Sequence, residues 1–175
     1  MKIYYIVFIW LVVMNFFSQQ VKVMYKINVN GEIVYRWKLI YALLALAPVI
    51  YIVAFTMPRS DTVAYLSIYR NLPTSFAGLL SNIKMAESGQ GFTIFEWVIS
   101  KVFWGSESAF RVILAFAHSI PILYVFRKYS DDFLTSLFLF LATGCHLGWM
   151  MNGMRQFLAV SMIMAATPLM LKKNM

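Results

Sequence analysis

The sequence predicts an all-α, polytopic membrane protein: a bundle of about five spanning helices, with a long extracytoplasmic loop and a small cytoplasmic β-hairpin. Three observations carry this. Of 175 residues, 61% are hydrophobic and 13% charged, with a mean hydropathy of +0.71. A soluble domain has about 45–50% apolar and about 25% charged residues, and one this small cannot bury such an excess. Apolar runs near the length that crosses a bilayer, about 20 residues, recur along the chain. The formal net charge of +8 is gathered between those runs, which is the pattern that orients a membrane protein rather than one that binds nucleic acid.

The first apolar run covers residues 3–17. Lys2 precedes it as in a signal peptide, but Ser18-Gln19-Gln20-Val21 offers no small-x-small cleavage site, so we read an uncleaved span. Residues 21–38 read as a hairpin. Alternating residues flank Val29-Asn30-Gly31-Glu32, and Asn-Gly supplies the two positive-φ positions of a tight turn. The second span is 39–57, with Pro48 inside it, which neighbouring helices tolerate. Residues 58–107 form the long loop, with a short helix over 61–71 and an amphipathic one over 92–104. The remaining spans are 108–126, 133–151 and 155–171, separated by the polar turn 127–132 and by Asn152-Gly153-Met154. No internal repeat divides the chain, so 1–175 reads as a single membrane domain. Lys and Arg in the hairpin, the 127–132 turn and Lys172-Lys173 place those segments in the cytoplasm, so the long loop and the Asn152 turn face out.

Asn152, Arg155, Gln156 and Ala159 are spaced i, i+3, i+4, i+7, the spacing of one helix face. Arg155 opens a span, where free N–H groups and partial positive charge already favour an anion, and a guanidinium adds a bidentate grip. An arginine there can also simply snorkel to the interface, although Asn152 and Gln156 are odd neighbours in lipid. Asp61, Tyr65 and Tyr69 follow at i, i+4, i+8. A carboxylate with two rings suits a sugar; an N-cap followed by an interfacial aromatic belt fits the spacing equally. Arg111 lies within a span, four residues after Glu107, where an ion pair can form and where a charge is a functional hypothesis by default. Glu87 and Glu96 are candidate acids in the loop. His118 and His146 lie in apolar runs and read as interhelical hydrogen-bond partners. With them and the single Cys145, neither a metal site nor an internal disulfide is expected.

The long loop, its opening Arg59-Ser60-Asp61-Thr62-x-x-Tyr65, Gly91-Phe92 in front of the amphipathic helix, and Asn152-Gly153-Met154-Arg155-Gln156-x-x-Ala159 together resemble the EpsG family of Wzy-type polysaccharide polymerases, from about Leu39 onward. The last segment is the most specific. Members often carry an acidic residue before the Gly-Phe pair; Gln90 stands there, so no acidic role is carried to it. Members also have roughly twice as many spans, so the chain is expected to be the N-terminal half of such a protein. The resemblance implies a polymerase of undecaprenyl-diphosphate-linked glycan units on the outer face of the cell inner (plasma) membrane, without metal or cofactor. Arg155 and Arg59 would hold the diphosphate, and Asp61, Glu96 or His146 would take the acceptor's proton. Asn152, Gln156, Tyr65, Tyr69 and Arg111 would bind substrate. A flippase and a chain-length regulator are the implied protein partners, with membrane lipids around the chain and no nucleic acid. The alternative is a non-catalytic membrane subunit or transporter fragment whose arginines bind an anionic lipid.

Overall fold

A computed structural model describes residues 2–20, 24–29, 32–57, 61–85, 88–143 and 146–172. In chain order the elements are α1 (Lys2–Gln20), β1 (Met24–Val29), β2 (Glu32–Trp37), α2 (Leu39–Phe55), α3 (Asp61–Arg70), α4 (Phe76–Met85), α5 (Gln90–Val102), α6 (Glu107–Tyr129), α7 (Phe133–Thr143), α8 (His146–Asn152) and α9 (Met154–Lys172). The chain is mainly helical, with one two-stranded sheet.

Helix α6 is the axis. Its 23 residues, at about 1.5 Å each, give roughly the 30 Å of a hydrocarbon core. The Ser106 hydroxyl caps its start, accepting the Ala109 N–H at 3.3 Å. Glu107 stands in the first turn and Arg127 and Lys128 in the last, each opposite in sign to the helix-end charge it faces. Helix α2 packs along α6, and its buried face includes Ala42, Ala45, Leu46, Val49 and Val53, small residues of the kind that permit close approach. Trp10 of α1 donates to the Leu44 carbonyl at 3.0 Å, fixing α1 on α2.

Each end of α6 carries a polar layer. At its C-terminal end sits the hairpin, antiparallel and in register from Met24↔Trp37 to Val29↔Glu32, as the alternation predicts. Asn30 and Gly31, the expected turn, lie outside the described residues. Arg127 donates to the Trp37 carbonyl at 2.6 Å and to the Tyr25 hydroxyl at 3.1 Å, and Arg36 donates to the Arg127 carbonyl at 2.8 Å. At the N-terminal end, α3 and α5 bury Leu66, Tyr69, Phe92 and Ile99 against Phe110 and Leu114 of α6 and Met154 and Leu158 of α9. The long loop is therefore a packed layer.

The structure departs from one expectation and bears out another only in part. The segment 133–151 is not one continuous helix: α7 and α8 meet at a bend of 67°. The sequence there reads Thr143-Gly144-Cys145-His146. Thr143 donates its hydroxyl back to the Leu139 carbonyl at 2.7 Å, a bond that bends helices, and glycine costs a helix interior about 1 kcal/mol. Gly144 and Cys145 lie outside the described residues. Second, among the described residues only α6 is by itself long and apolar enough to cross a membrane, and the α7–α8 pair makes a second if taken as one bent span. Helices α1, α2 and α9 are apolar over shorter stretches. Large apolar side chains on these helices nevertheless stay uncovered, among them Ile6, Ile9, Ile40, Tyr51, Ile120 and Ile163. Helix α4 was not anticipated; the Ser75 hydroxyl accepts the Gly78 N–H at 3.1 Å at its start.

Candidate functional site

The break between α8 and α9 builds the first half of a pocket. Gly153 separates the two helices, and a Cβ on it would sit 2.7 Å from Cε3 of Trp149. A glycine is what lets the indole lie over this turn. Asn152 and Gln156 flank the ring and line the same cavity of about 330 Å³. Helix α3 closes it with Asp61 and Tyr65. Thr62 holds α3 in place by donating to the Met151 carbonyl at 2.5 Å, which also satisfies a carbonyl in the last turn of α8. Tyr65 meets Phe92 of α5 edge-on, ring centroids 5.7 Å apart. Four residues expected to bind substrate or act on it, Asp61, Tyr65, Asn152 and Gln156, thus converge from segments nearly ninety positions apart.

Arg155 stands one residue before Gln156 but turns another way, and it does not line this cavity. The expected single face across Asn152 and Arg155 fails because α8 ends at Asn152 and a new helix starts at Met154. The Arg155 side chain lies against Gly89, the residue before α5. A Cβ on Gly89 would sit 2.9 Å from Arg155 Cδ and closer still to its guanidinium, and Gly89 holds φ +81. The positive φ favours glycine there, and a side chain at this position would push the flexible arginine aside. Below lies Glu96, 2% exposed, whose Oε1 has no hydrogen-bond partner among the described residues. Burial pushes its carboxyl up to about 7, and the positive charge of Arg155 holds it from rising further.

A second cation cluster stands at the start of α6. Arg70 of α3 binds Glu107 with both branches, at 2.5 and 2.9 Å. The expected Glu107–Arg111 ion pair yields to this bond. Arg111 donates to the Thr56 carbonyl at the end of α2, and its Nε is buried without a partner among the described residues. Arg70, Glu107 and Arg111 border a cavity of about 190 Å³, separate from the first.

Other expected site residues are placed elsewhere. Tyr69 is 2% exposed and stacks on Phe110 at 4.5 Å, inside the packed layer. His146 stacks on Phe140, centroids 4.0 Å apart, and meets Phe157 edge-on. His118 hydrogen-bonds the Met154 carbonyl at 3.1 Å, the interhelical role expected of it. Arg59 and Glu87 lie outside the described residues. Among the described residues no three His, Cys, Asp or Glu side chains group in a way that could hold a metal ion. Sequence reasoning missed Trp149, Gly153 and Gly89. Trp149 was within reach, since it lies three, four and seven positions before Asn152, Gly153 and Gln156.

Mainly helical structure with large apolar side chains left uncovered is the pattern of a helical membrane protein. The model of the EpsG family matches residues 39–175, and the chain belongs to that family. No curated protein and no solved structure matches it.

Proposed function

We propose that the chain acts in polysaccharide polymerisation, as a multi-pass inner-membrane protein joining glycan units carried on undecaprenyl diphosphate at the outer face. The observation that carries the reading is the convergence of Asp61, Tyr65, Asn152 and Gln156 on one cavity, next in sequence to an arginine whose positive charge is felt by the buried Glu96. Uncovered apolar side chains support the membrane setting, because so much apolar surface does not stay in water.

The chemistry follows from charge and position. The acceptor hydroxyl oxygen attacks the anomeric carbon of the donor sugar, and the bond from that carbon to the diphosphate oxygen breaks. Asp61, on the cavity wall, takes the hydroxyl proton. Arg155, next to Gln156 in sequence but turned toward Gly89, has to swing to the cavity mouth to hold the departing diphosphate and its growing charge. Glu96 is buried behind Arg155 and off the cavity wall, so its part is to orient the guanidinium. His146, enclosed between aromatic rings, is the weaker base.

The test is Arg155→Lys, with expression and membrane insertion checked first. An ammonium lacks the planar fork that grips a diphosphate. The loss should be about 2–4 kcal/mol of transition-state stabilisation, roughly 30- to 1,000-fold in polymer formation. A well-inserted Lys variant that makes polymer at the parental rate leaves Arg155 a snorkelling arginine with no part in the reaction, whereas no polymer from the parent protein in the same assay would favour the non-catalytic, lipid-binding alternative.

A further inference from the structure

We propose that α5 is an interfacial helix, with its outer face and the Trp104 turn after it seated among the lipid headgroups and upper acyl chains. The inference does not rest on the polymerase reading. Helix α5 is apolar on two sides. Phe92, Glu96 and Ile99 are buried. Gly91, Ile94, Val98, Lys101 and Val102 stand at the spacing of the opposite face, and all five are exposed. A loop helix in water carries polar side chains on such a face. This one carries no acid and a single cation, Lys101, in its last turn.

The turn after α5 is a second, independent observation. Trp104 is 93% exposed and holds φ +50, in the left-handed region that a side chain enters at a cost. Glycine usually takes that place after a helix; here Gly105 comes one residue later, at φ +71. The turn is well closed, with the Gly105 N–H on the Ser100 carbonyl at 2.8 Å and the Ser106 N–H on the Phe103 carbonyl at 3.0 Å. It holds the indole clear of the protein, beside the exposed Val102 and Phe103.

Position and chemistry name lipid as the occupant. Trp104 stands three residues before Glu107, the first residue of α6, a helix long and apolar enough to cross a bilayer. The turn therefore lies where that helix meets the membrane surface, and uncovered Phe116 and Ile120 continue the apolar surface along α6. An indole has an apolar body and one N–H, which suits the boundary between acyl chains and headgroups. The Lys101 ammonium lies 5.6 Å from the centre of the Trp97 ring, with its apolar stem along the stripe and its charge free to meet lipid phosphates. Phe92, packed on Tyr65 of the cavity wall, belongs to the same helix, so seating α5 sets the height of that cavity against the headgroups.

The experiment places single spin labels at Ile94→Cys, Val98→Cys and Val102→Cys, each with Cys145→Ala, in the full chain in vesicles of phosphatidylethanolamine and phosphatidylglycerol. Collisions with oxygen, which concentrates among acyl chains, are compared with collisions with a water-soluble nickel chelate. Ile120→Cys on α6 is the lipid reference, and Asp131→Cys in the exposed α6–α7 turn is the water reference. Oxygen should prevail at all three α5 positions, as at Ile120→Cys, and nickel at Asp131→Cys. Trp104→Gly removes the ring and relaxes the left-handed backbone; it should raise nickel collisions at Val102→Cys and leave Ile120→Cys unchanged. Nickel prevailing along α5 would show a face in water. Labels immobilised and out of reach of both reagents would show a face covered by protein. Either result overturns the proposal, as does a Val102→Cys label indifferent to Trp104→Gly.

Discussion

At the scale of single residues, Glu96 makes the sharpest demand. Its carboxyl, with no hydrogen-bond partner on Oε1, is lifted from 4.5 to about 7 by burial. A raised folded value means that its contribution to stability is full below 4.5 and is lost as pH rises through about 7. The span of that loss is on the order of 3 kcal/mol. Glu96→Gln should remove it, so thermal unfolding midpoints in detergent should fall across this window in the parent and hold level in the variant. A variant that keeps the parental fall would place the titration elsewhere. Tyr69 tests the opposite point. Its hydroxyl is buried without a partner among the described residues, so Tyr69→Phe should leave polymer yield unchanged and alter stability by no more than about 1 kcal/mol. A drop in polymer would restore it to the sugar site. The spacing 61, 65, 69 misleads because each step of four overshoots a turn by about 40°, and two steps carry Tyr69 off the cavity face and onto Phe110. Asp61 and Tyr65, one step apart, stay together.

Among the elements, legibility followed composition. The hairpin was readable because alternation and Asn-Gly agree, and α6 because its apolar run is long and bounded by charge. The α7–α8 break was not readable, since hydropathy alone does not register a bend. Its consequence is the site itself: the short α8 brings Trp149 and Asn152 against α3. Helix α4 was obscured by Gly78, whose missing Cβ lets Pro73 approach; a Cβ there would be 2.8 Å from it. The hairpin is an element with a single latch. Among the described residues, Arg127 donates two of the three hydrogen bonds tying it to the end of α6. Arg127→Ala should cost the hairpin about 1–3 kcal/mol of local stability, read as faster amide exchange in β1 and β2 while α2 keeps its protection. Equal protection in both proteins would mean that packing of Trp37 on Phe133, centroids 5.4 Å apart, holds the hairpin without Arg127.

For the whole molecule, the central claim is that the cavity, with Arg155 beside it, lies at the outer end of a bundle whose other end, carrying the hairpin, is cytoplasmic. That orientation is our proposal from the charge in the short loops. The geometry makes the assignment testable, since α6 alone separates Arg70 and Glu107 at one end from Arg127 and the hairpin at the other. The most direct measurement replaces Cys145 with Ala and places single cysteines at exposed positions of the two layers, Ser81→Cys in α4 and Asp131→Cys in the α6–α7 turn. Intact cells are then treated with a membrane-impermeant maleimide. The account predicts labelling of Ser81→Cys in intact cells and of Asp131→Cys only after the membrane is opened. Labelling of both from outside, or of Asp131→Cys alone, would contradict it.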